Sequence, residues 1–270
     1  MKTILFANAR NEENILEWVV HHLNLGFDHI FLVDHRSDIP LKFVLRFIPF
    51  DKLTIYRMDG NIIKMNLMHA ARAHAKKEGY DWMAYLDCDE FLILNQDADI
   101  KDFLAKYEQY DQVGINWLCF GTNNLDTFKG NIIENFTRCH NTLDLHIKTF
   151  LHLTKPNTDH YVIYNPHSFI LNDLSNSVGV DFKPLNPDGP HFFENMAHFN
   201  DTPAYIAHYL YQSYDRYIAR KINLPRDDTN TFREVIPKEE LDKQYNVVEN
   251  LGPLNKYNKI NTEMIKKYSQ

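Results

Sequence analysis

The chain has 270 residues, 44 % of them hydrophobic, with 36 acidic side chains against 29 basic ones and a formal net charge of -7. That length supports one large α/β domain, or a domain with a small appendage, and the acidic balance argues against nucleic-acid binding, which needs a basic face. The three cysteines, Cys88, Cys119 and Cys139, are scattered and form no C-x-x-C pair, which argues against a disulfide framework or a zinc site and fits a reducing compartment.

Met1-Lys2 leads into an apolar segment without a signal peptide, so a cytoplasmic protein is expected. No apolar run approaches the ~20 residues of a membrane span. Residues 3–7 read as a first strand. Asn11 is placed to cap the next helix, with Glu12 and Glu13 at its positive end. In that helix Ile15, Trp18, Val19 and Leu23 share a face, and Gly26 stops it. A second strand over 29–33 ends in Asp34-His35-Arg36-Ser37-Asp38. A short helical stretch over 41–48 precedes a third strand at 53–57, and 62–78 read as a helix. The fourth strand, Trp82 to Leu86, runs into Asp87-Cys88-Asp89-Glu90, and the apolar run resumes at once with Phe91.

One helical crossover per strand implies an α/β fold with a mostly parallel sheet covered on both faces. Ligands of such sheets bind outside the carboxyl ends of the strands. Polar loops at 8–11, 34–38 and 87–90 fall at those ends. Three carboxylates within 87–90 repel one another unless a cation lies between them, and hard divalent cations prefer carboxylate oxygens. The bland alternative is a solvated acidic turn.

The second half is less regular. A helix is expected over 99–107 and a strand over 112–118, with shorter strand candidates at 131–137, 146–153 and 160–171. Residues 172–200, rich in Asn, Pro, Asp and His, read as a long loop. Thr202-Pro203 is a good helix start, and that helix is expected to reach Ile222. From Lys238 onward the chain is charged and reads as a surface helix. The expected division is a main domain over 1–225 and a C-terminal helical extension over 226–270.

Several ordered pieces resemble the family 2-like and family 92-like glycosyltransferases. They are Arg10-Asn11-Glu12, Glu17-Trp18, His21-His22, Leu25-Gly26, Val33-Asp34, Asp81-Trp82 before Asp87-Cys88-Asp89-Glu90-Phe91, and Asn116-Trp117 before Phe120-Gly121-Thr122. Lys148-Thr149 and His208-Tyr209 are weaker family 92 echoes. The resemblance implies a GT-A fold, a Rossmann-like nucleotide-diphospho-sugar transferase with an irregular C-terminal acceptor region. It implies a nucleotide-sugar donor, UDP-linked by expectation, and a divalent metal, Mn2+ or Mg2+. The sequence departs from the pattern after Asp34, where His35 stands in place of a common Asn, and over 172–200.

Carried over residue by residue, the resemblance implies a metal site of Asp87, Asp89 and His208, with His167 and His198 as rivals for the histidine. Ala9, Arg10, Asn11, Asp34, Lys64, Asn66, Asp87 and Lys148 would meet the donor, with Arg138 a further candidate for the diphosphate. Trp117 and Phe120 would stack on the acceptor, a glycan or glycolipid, though core packing suits either. An inverting transfer needs a carboxylate base; Glu134 and Asp181 are the candidates, with Asp126 and Asp173 as alternatives. Membrane contact is expected to be peripheral at most, through the lysines of the tail. Rival readings are a non-catalytic nucleotide- or sugar-binding module and a metal-dependent phosphatase using the D-x-D.

Overall fold

The structure, a computed structural model, describes residues 1–60, 63–186, 188–189 and 191–269. In chain order the elements are β1 (Thr3–Ala9), α1 (Ile15–Asn24), β2 (His29–His35), α2 (Leu41–Val44), β3 (Leu53–Met58), α3 (Lys64–Lys77), β4 (Trp82–Tyr85), β5 (Glu90–Leu94), α4 (Ile100–Ala105) and β6 (Gln112–Cys119). There follow α5 (Ile132–Asn135), β7 (Arg138–Cys139), β8 (Ile147–His152), β9 (Tyr161–Val162), β10 (Ile170–Leu171), β11 (Ser177–Gly179) and β12 (Ala204–His208). The chain ends with α6 (Tyr214–Tyr217), a π-helical turn at Ile218–Ile222, α7 (Lys238–Tyr245), β13 (Val248–Glu249) and α8 (Gly252–Tyr268).

The main sheet has the order β3-β2-β1-β4-β8-β6-β12-β5, with β11 on β6. Strands β3, β2, β1 and β4 are parallel neighbours, as are β6 with β12 and β6 with β11; β8 and β5 run antiparallel to theirs. Alternate side chains of each strand point to opposite faces. Leu5, Ala7, Trp82 and Ala84 therefore join the large core with α1, α4, α5 and α8. Ile4, Phe6, Met83 and Tyr85 join a smaller one with Met68, Ala71 and Ala75 of α3. Helices cover both faces, as the strand–helix alternation implies.

Four local expectations are corrected. The run expected as a helix from Thr202 begins with a strand: Ala204–His208 is fully buried and lies between β6 and β5. Its apolar residues face two strand neighbours at once, and that packing overrides the helix-start signal. Residues 131–137 hold the short helix α5 rather than a strand, because the buried Glu17 carboxylate accepts hydrogen bonds from Ile132 N (2.5 Å) and Ile133 N (3.1 Å). Asn11 does not cap α1: it takes a positive φ of 54° and its side chain exchanges hydrogen bonds with Asp38. The stretch 41–48 is helical only over Leu41–Val44.

The other readings hold with small shifts. Asp99 caps α4 through Lys101 N and Asp102 N. Residues 160–171 form the antiparallel pair β9–β10, and the 172–200 loop contains β11, with positions 187 and 190 outside the described residues. The helix expected from 62 begins at Lys64, with Ile63 extended before it and 62 outside the described residues. The last expected tail position, 270, is outside them too. Helix α8 packs on the core rather than lying free: Tyr257 and Asn261 are buried, and the Tyr257 hydroxyl hydrogen-bonds at Leu94. Among the described residues no helix is long and apolar enough to cross a membrane.

Candidate active site

The acidic turn is clamped from behind by the residues that carry the resemblance in α1. The Trp18 indole donates to Glu90 O at 2.8 Å. His21 Nε2 donates to Leu92 O at 2.8 Å and its Nδ1 accepts from Asn261. His22 Nδ1 donates to Trp18 O, which leaves Nε2 to accept from Leu92 N. Both rings are therefore single, neutral tautomers. Burial pushes both down, His21 to about 4 and His22 well below its usual value. A helix whose hydrogen bonds run into β5 fixes where β4 ends and where the carboxylates begin. Cys88, the spacer between the acids, is buried.

A cavity of about 430 Å³ opens where those carboxylates emerge, a size in the range of small-ligand sites. It is lined from the carboxyl ends of β1 (Asn8, Arg10), β2 (His35, Arg36), β4 (Asp87, Asp89), β6 (Trp117) and β12 (His208). Its far wall is a strap of later chain that includes Arg220, Lys221, Arg226, Asp227, Asp228 and Arg233. Seven Lys and Arg side chains line the cavity against five Asp and Glu, the reverse of the balance over the whole chain.

The acids are already paired. Asp87 receives Lys64 on one oxygen and Lys148 on the other, the latter at 3.1 Å. Lys148 also lies 3.4 Å from Glu90, whose carboxylate accepts from Asp87 N at 2.8 Å. Burial raises Glu90 to about 7, against the pull of Lys148 and Lys64. Lys64, also buried, is lowered to about 8. Asp89 Oδ2 pairs with Lys221 (2.6 Å) and Arg220 (3.2 Å). Burial alone would raise Asp89; those two cations hold it well below the usual carboxylate range. Arg220 also grips Glu12 with both carboxylate oxygens at 3.0 Å. The strap is tied down by Asp227, which accepts from Asn8 Nδ2 at 2.7 Å and, through its carbonyl, from Lys64 N at 2.9 Å.

The implied divalent ion can be tested against these atoms. Asp89 Oδ1 is buried and accepts no hydrogen bond, and it faces His208 Nε2 at 3.7 Å. Burial lowers His208 to about 3, so the ring is neutral near pH 7 and able to ligate. Among the described residues no group of three or more His, Cys, Asp or Glu is gathered for an ion. The donor set fits a hard cation held by one carboxylate and one imidazole, its remaining positions left to phosphate oxygens and water.

Of the residues singled out in the sequence, Arg10, Lys64, Asp87, Asp89, Trp117 and His208 line the cavity, and Lys148 is buried beneath Asp87. Ala9, Asn11, Asp34 and Asn66 do not line it. Asp34 is turned into its own loop, accepting from Ser37 N, Leu41 N and Arg57. Asn66 is exposed on α3. Phe120 is fully buried against Tyr209. The two carboxylates expected as bases lie elsewhere. Glu134 is exposed on α5, which Glu17 holds away from the cavity. Asp181 pairs with Lys183 in the turn that follows β11 and does not line the cavity. Their alternatives fare no better: Asp126 pairs with Lys238, and Asp173 is exposed and caps a turn at Ser175. Arg138 and His198 are not among the lining residues either, whereas His167 is. The boundary drawn at 225 cuts through the cavity wall, which continues to Arg233.

Sequence reading missed Arg220, Lys221 and Asp227. The first two sit on the π-helical turn, a widened turn that occurs often at functional sites. Adjacent Arg and Lys before Pro225-Arg226-Asp227-Asp228 were the available signal. It also missed His146, whose ring stacks on Trp117 (5.2 Å, 23°) and whose Nδ1 lies 2.7 Å from Asp144.

Comparison with known proteins adds the family. A rice (Oryza sativa subsp. japonica) glycosyltransferase family 92 protein is 27 % identical over 109 residues, 39 % of this chain and 18 % of its own length. The chain thus spans under a fifth of that relative. Among solved structures, Staphylococcus aureus TarS 1-349 superposes with a TM-score of 0.39 at 15 % identity, covering 57 % of this chain and 48 % of that one. HddC from Yersinia pseudotuberculosis gives 0.36 at 10 % identity, covering 66 % and 91 %. The family model for glycosyltransferase family 92 matches residues 60–268, most of the chain and including Asp87, Asp89, His208 and the strap, so this chain belongs to glycosyltransferase family 92.

Proposed function

We propose that this chain transfers a sugar from a nucleoside-diphosphate donor, a UDP-sugar, to a hydroxyl of a glycan or glycolipid, with inversion at the anomeric carbon and in the cytoplasm. The observation that carries the reading is the ring of Lys64, Lys148, Arg220 and Lys221 around Asp87 and Asp89, at the strand ends of a cavity of about 430 Å³. A departing diphosphate gathers negative charge, and fixed cations in a water-poor site stabilise it without reorganising. Asp89 Oδ1 and His208 Nε2 would hold Mn2+ or Mg2+, whose contribution is Lewis-acid stabilisation of that leaving group.

The acceptor would lie on the Trp117 wall. The five lining carboxylates are Glu12, Asp87, Asp89, Asp227 and Asp228. Each faces a cation that already engages it. His146 is different. Donating Nδ1–H to Asp144 leaves Nε2 free to accept, as in other Asp–His pairs. In the step proposed, Nε2 takes the acceptor hydroxyl proton, the acceptor oxygen bonds the anomeric carbon, and the bond from that carbon to the diphosphate breaks with its electron pair.

A panel of UDP-sugars with manganese, assayed for UDP release, tests the reading, because slow donor hydrolysis uses water as acceptor. Calorimetry with UDP separates binding from turnover. UDP that binds neither with nor without manganese removes the donor assignment. His146→Ala is expected to slow release by about 10²-fold at unchanged UDP affinity. A non-catalytic nucleotide-binding module is the second reading, favoured by the engagement of both Asp87 oxygens with lysines. UDP binding without release of UDP from any donor would select it.

A further inference from the structure

The connection from β2 to β3 carries a surface that nothing above uses. Leu41, Leu45 and Ile48 are its buried anchors, at 2 %, 2 % and 7 % exposure. Two places after each anchor stands an exposed ring: Phe43 at 54 %, Phe47 at 43 % and Phe50 at 91 %. Ile39, at 67 %, begins the run. Single exposed apolar residues need no explanation, but four large ones within twelve residues form a patch that monomeric soluble surfaces rarely show. Between Ile39 and Phe50 the chain has two cations, Lys42 and Arg46, and no acid, in a protein of net charge -7.

The cations are arranged over the rings. Lys42 Nζ lies 5.1 Å from the Phe43 ring centroid, and the Arg46 guanidinium 4.4 Å from that of Phe47. Arg46 also donates to Phe43 O at 2.7 Å. Apolar stems and rings outward with charged heads beside them is the amphipathic arrangement favoured where hydrocarbon meets anionic headgroups. These residues do not line the cavity at the strand ends, and the three rings stand 43 to 91 % exposed, protruding from the surface. Protruding rings suit insertion into a fluid layer.

We propose that Ile39–Phe50 is a membrane-docking surface that seats the protein on an anionic phospholipid bilayer, with Phe43, Phe47 and Phe50 entering the interface and Lys42 and Arg46 meeting the headgroups. The proposal does not depend on the donor or the reaction. His35 and Arg36, which line the cavity, lie four and three residues before Ile39, so the docked edge is close to the cavity rim along the chain.

Sedimentation with phosphatidylcholine vesicles containing phosphatidylglycerol at about a 3:1 ratio tests it. The wild type is expected to pellet with these vesicles and to be released by about 0.5 M salt. The triple variant Phe43→Ser, Phe47→Ser, Phe50→Ser is expected to lose roughly ten-fold or more in partitioning. Lys42→Glu with Arg46→Glu is expected to lose binding similarly while keeping every ring. Both should melt like the wild type by circular dichroism, since all the substituted side chains are exposed. A wild type left in the supernatant, or a triple variant that pellets like it, overturns the proposal. So does a wild-type dimer that the triple variant makes monomeric, which would assign the patch to a second copy.

Discussion

The two acids at the end of β4 differ in where their partners come from. Asp87 is held by Lys64 at the start of α3 and Lys148 on β8, next to β4 in the sheet. Asp89 is held by Arg220 and Lys221, which arrive from a π-helical turn 131 residues further along for Arg220. The first cluster is built by the sheet and the helix α3 packed on it. The second exists only when the later strap has docked, through Asp227 on Asn8 and Lys64. The comparison teaches that one half of the site is part of the scaffold, while the other half depends on long-range closure.

The largest effect expected is that of Asp89→Ala. It leaves Lys221, at 16 % exposure, without the carboxylate it pairs with, while Arg220 keeps only Glu12. Removing one member of a buried ion cluster costs about 3–5 kcal/mol, which urea denaturation would register. An unchanged unfolding midpoint would mean that the strap does not rely on Asp89. Lys221→Ala probes the same wall more gently, because Arg220 keeps Asp89 paired. UDP affinity by calorimetry is expected to fall about ten-fold, the value of one charge-assisted hydrogen bond. Equal affinity would remove Lys221 from the donor site.

Glu17 offers a contrast from outside both walls. Burial raises it from 4.5 to about 7, against two backbone hydrogen bonds. A carboxyl raised on folding adds stability that is complete below the unfolded value, and that stability is lost as pH rises through the folded one. Wild-type stability is therefore expected to fall between pH 4.5 and about 7 by up to about 3 kcal/mol from this group, and Glu17→Gln should lack that component. Parallel slopes for the two proteins in urea melts across this range would refute it. The smallest effect belongs to Asn66→Ala. Exposed and off the cavity wall, it should leave UDP affinity unchanged and stability within about 0.5 kcal/mol.

Much of the sheet-built half was legible in the sequence. The apolar runs at β1, β2, β3, β4 and β6 stand out because each is short and bounded by polar loops, and Asp87 and Asp89 stand out because they interrupt one such run. Lys64, Lys148 and His208 were reached through the family resemblance. The strap was not legible. Arg220 and Lys221 fall at the end of a stretch that reads as one helix from Thr202 to Ile222, and Ala204–His208 becomes a strand only because β5 and β6 stand on either side. Glu134 was reached through the family pattern and Asp181 as one of several acids in the second half, but nothing local says whether an acid faces the cavity.

By itself the sequence determined the alternation of strands and helices, the two-faced core and the acidic strand end, because each depends on periodicity or on neighbours a few residues apart. Only the tertiary structure decided that Asp89 is buried and that the two acids pair with cations from three separate places in the chain. It alone decided that Asp89 Oδ1 and His208 Nε2 share one gap, and that Asp34 is spent on its own loop. The reason is physical. Charge pairing and desolvation depend on distances of 3 to 4 Å between atoms that can be more than a hundred residues apart, and no local pattern carries that information.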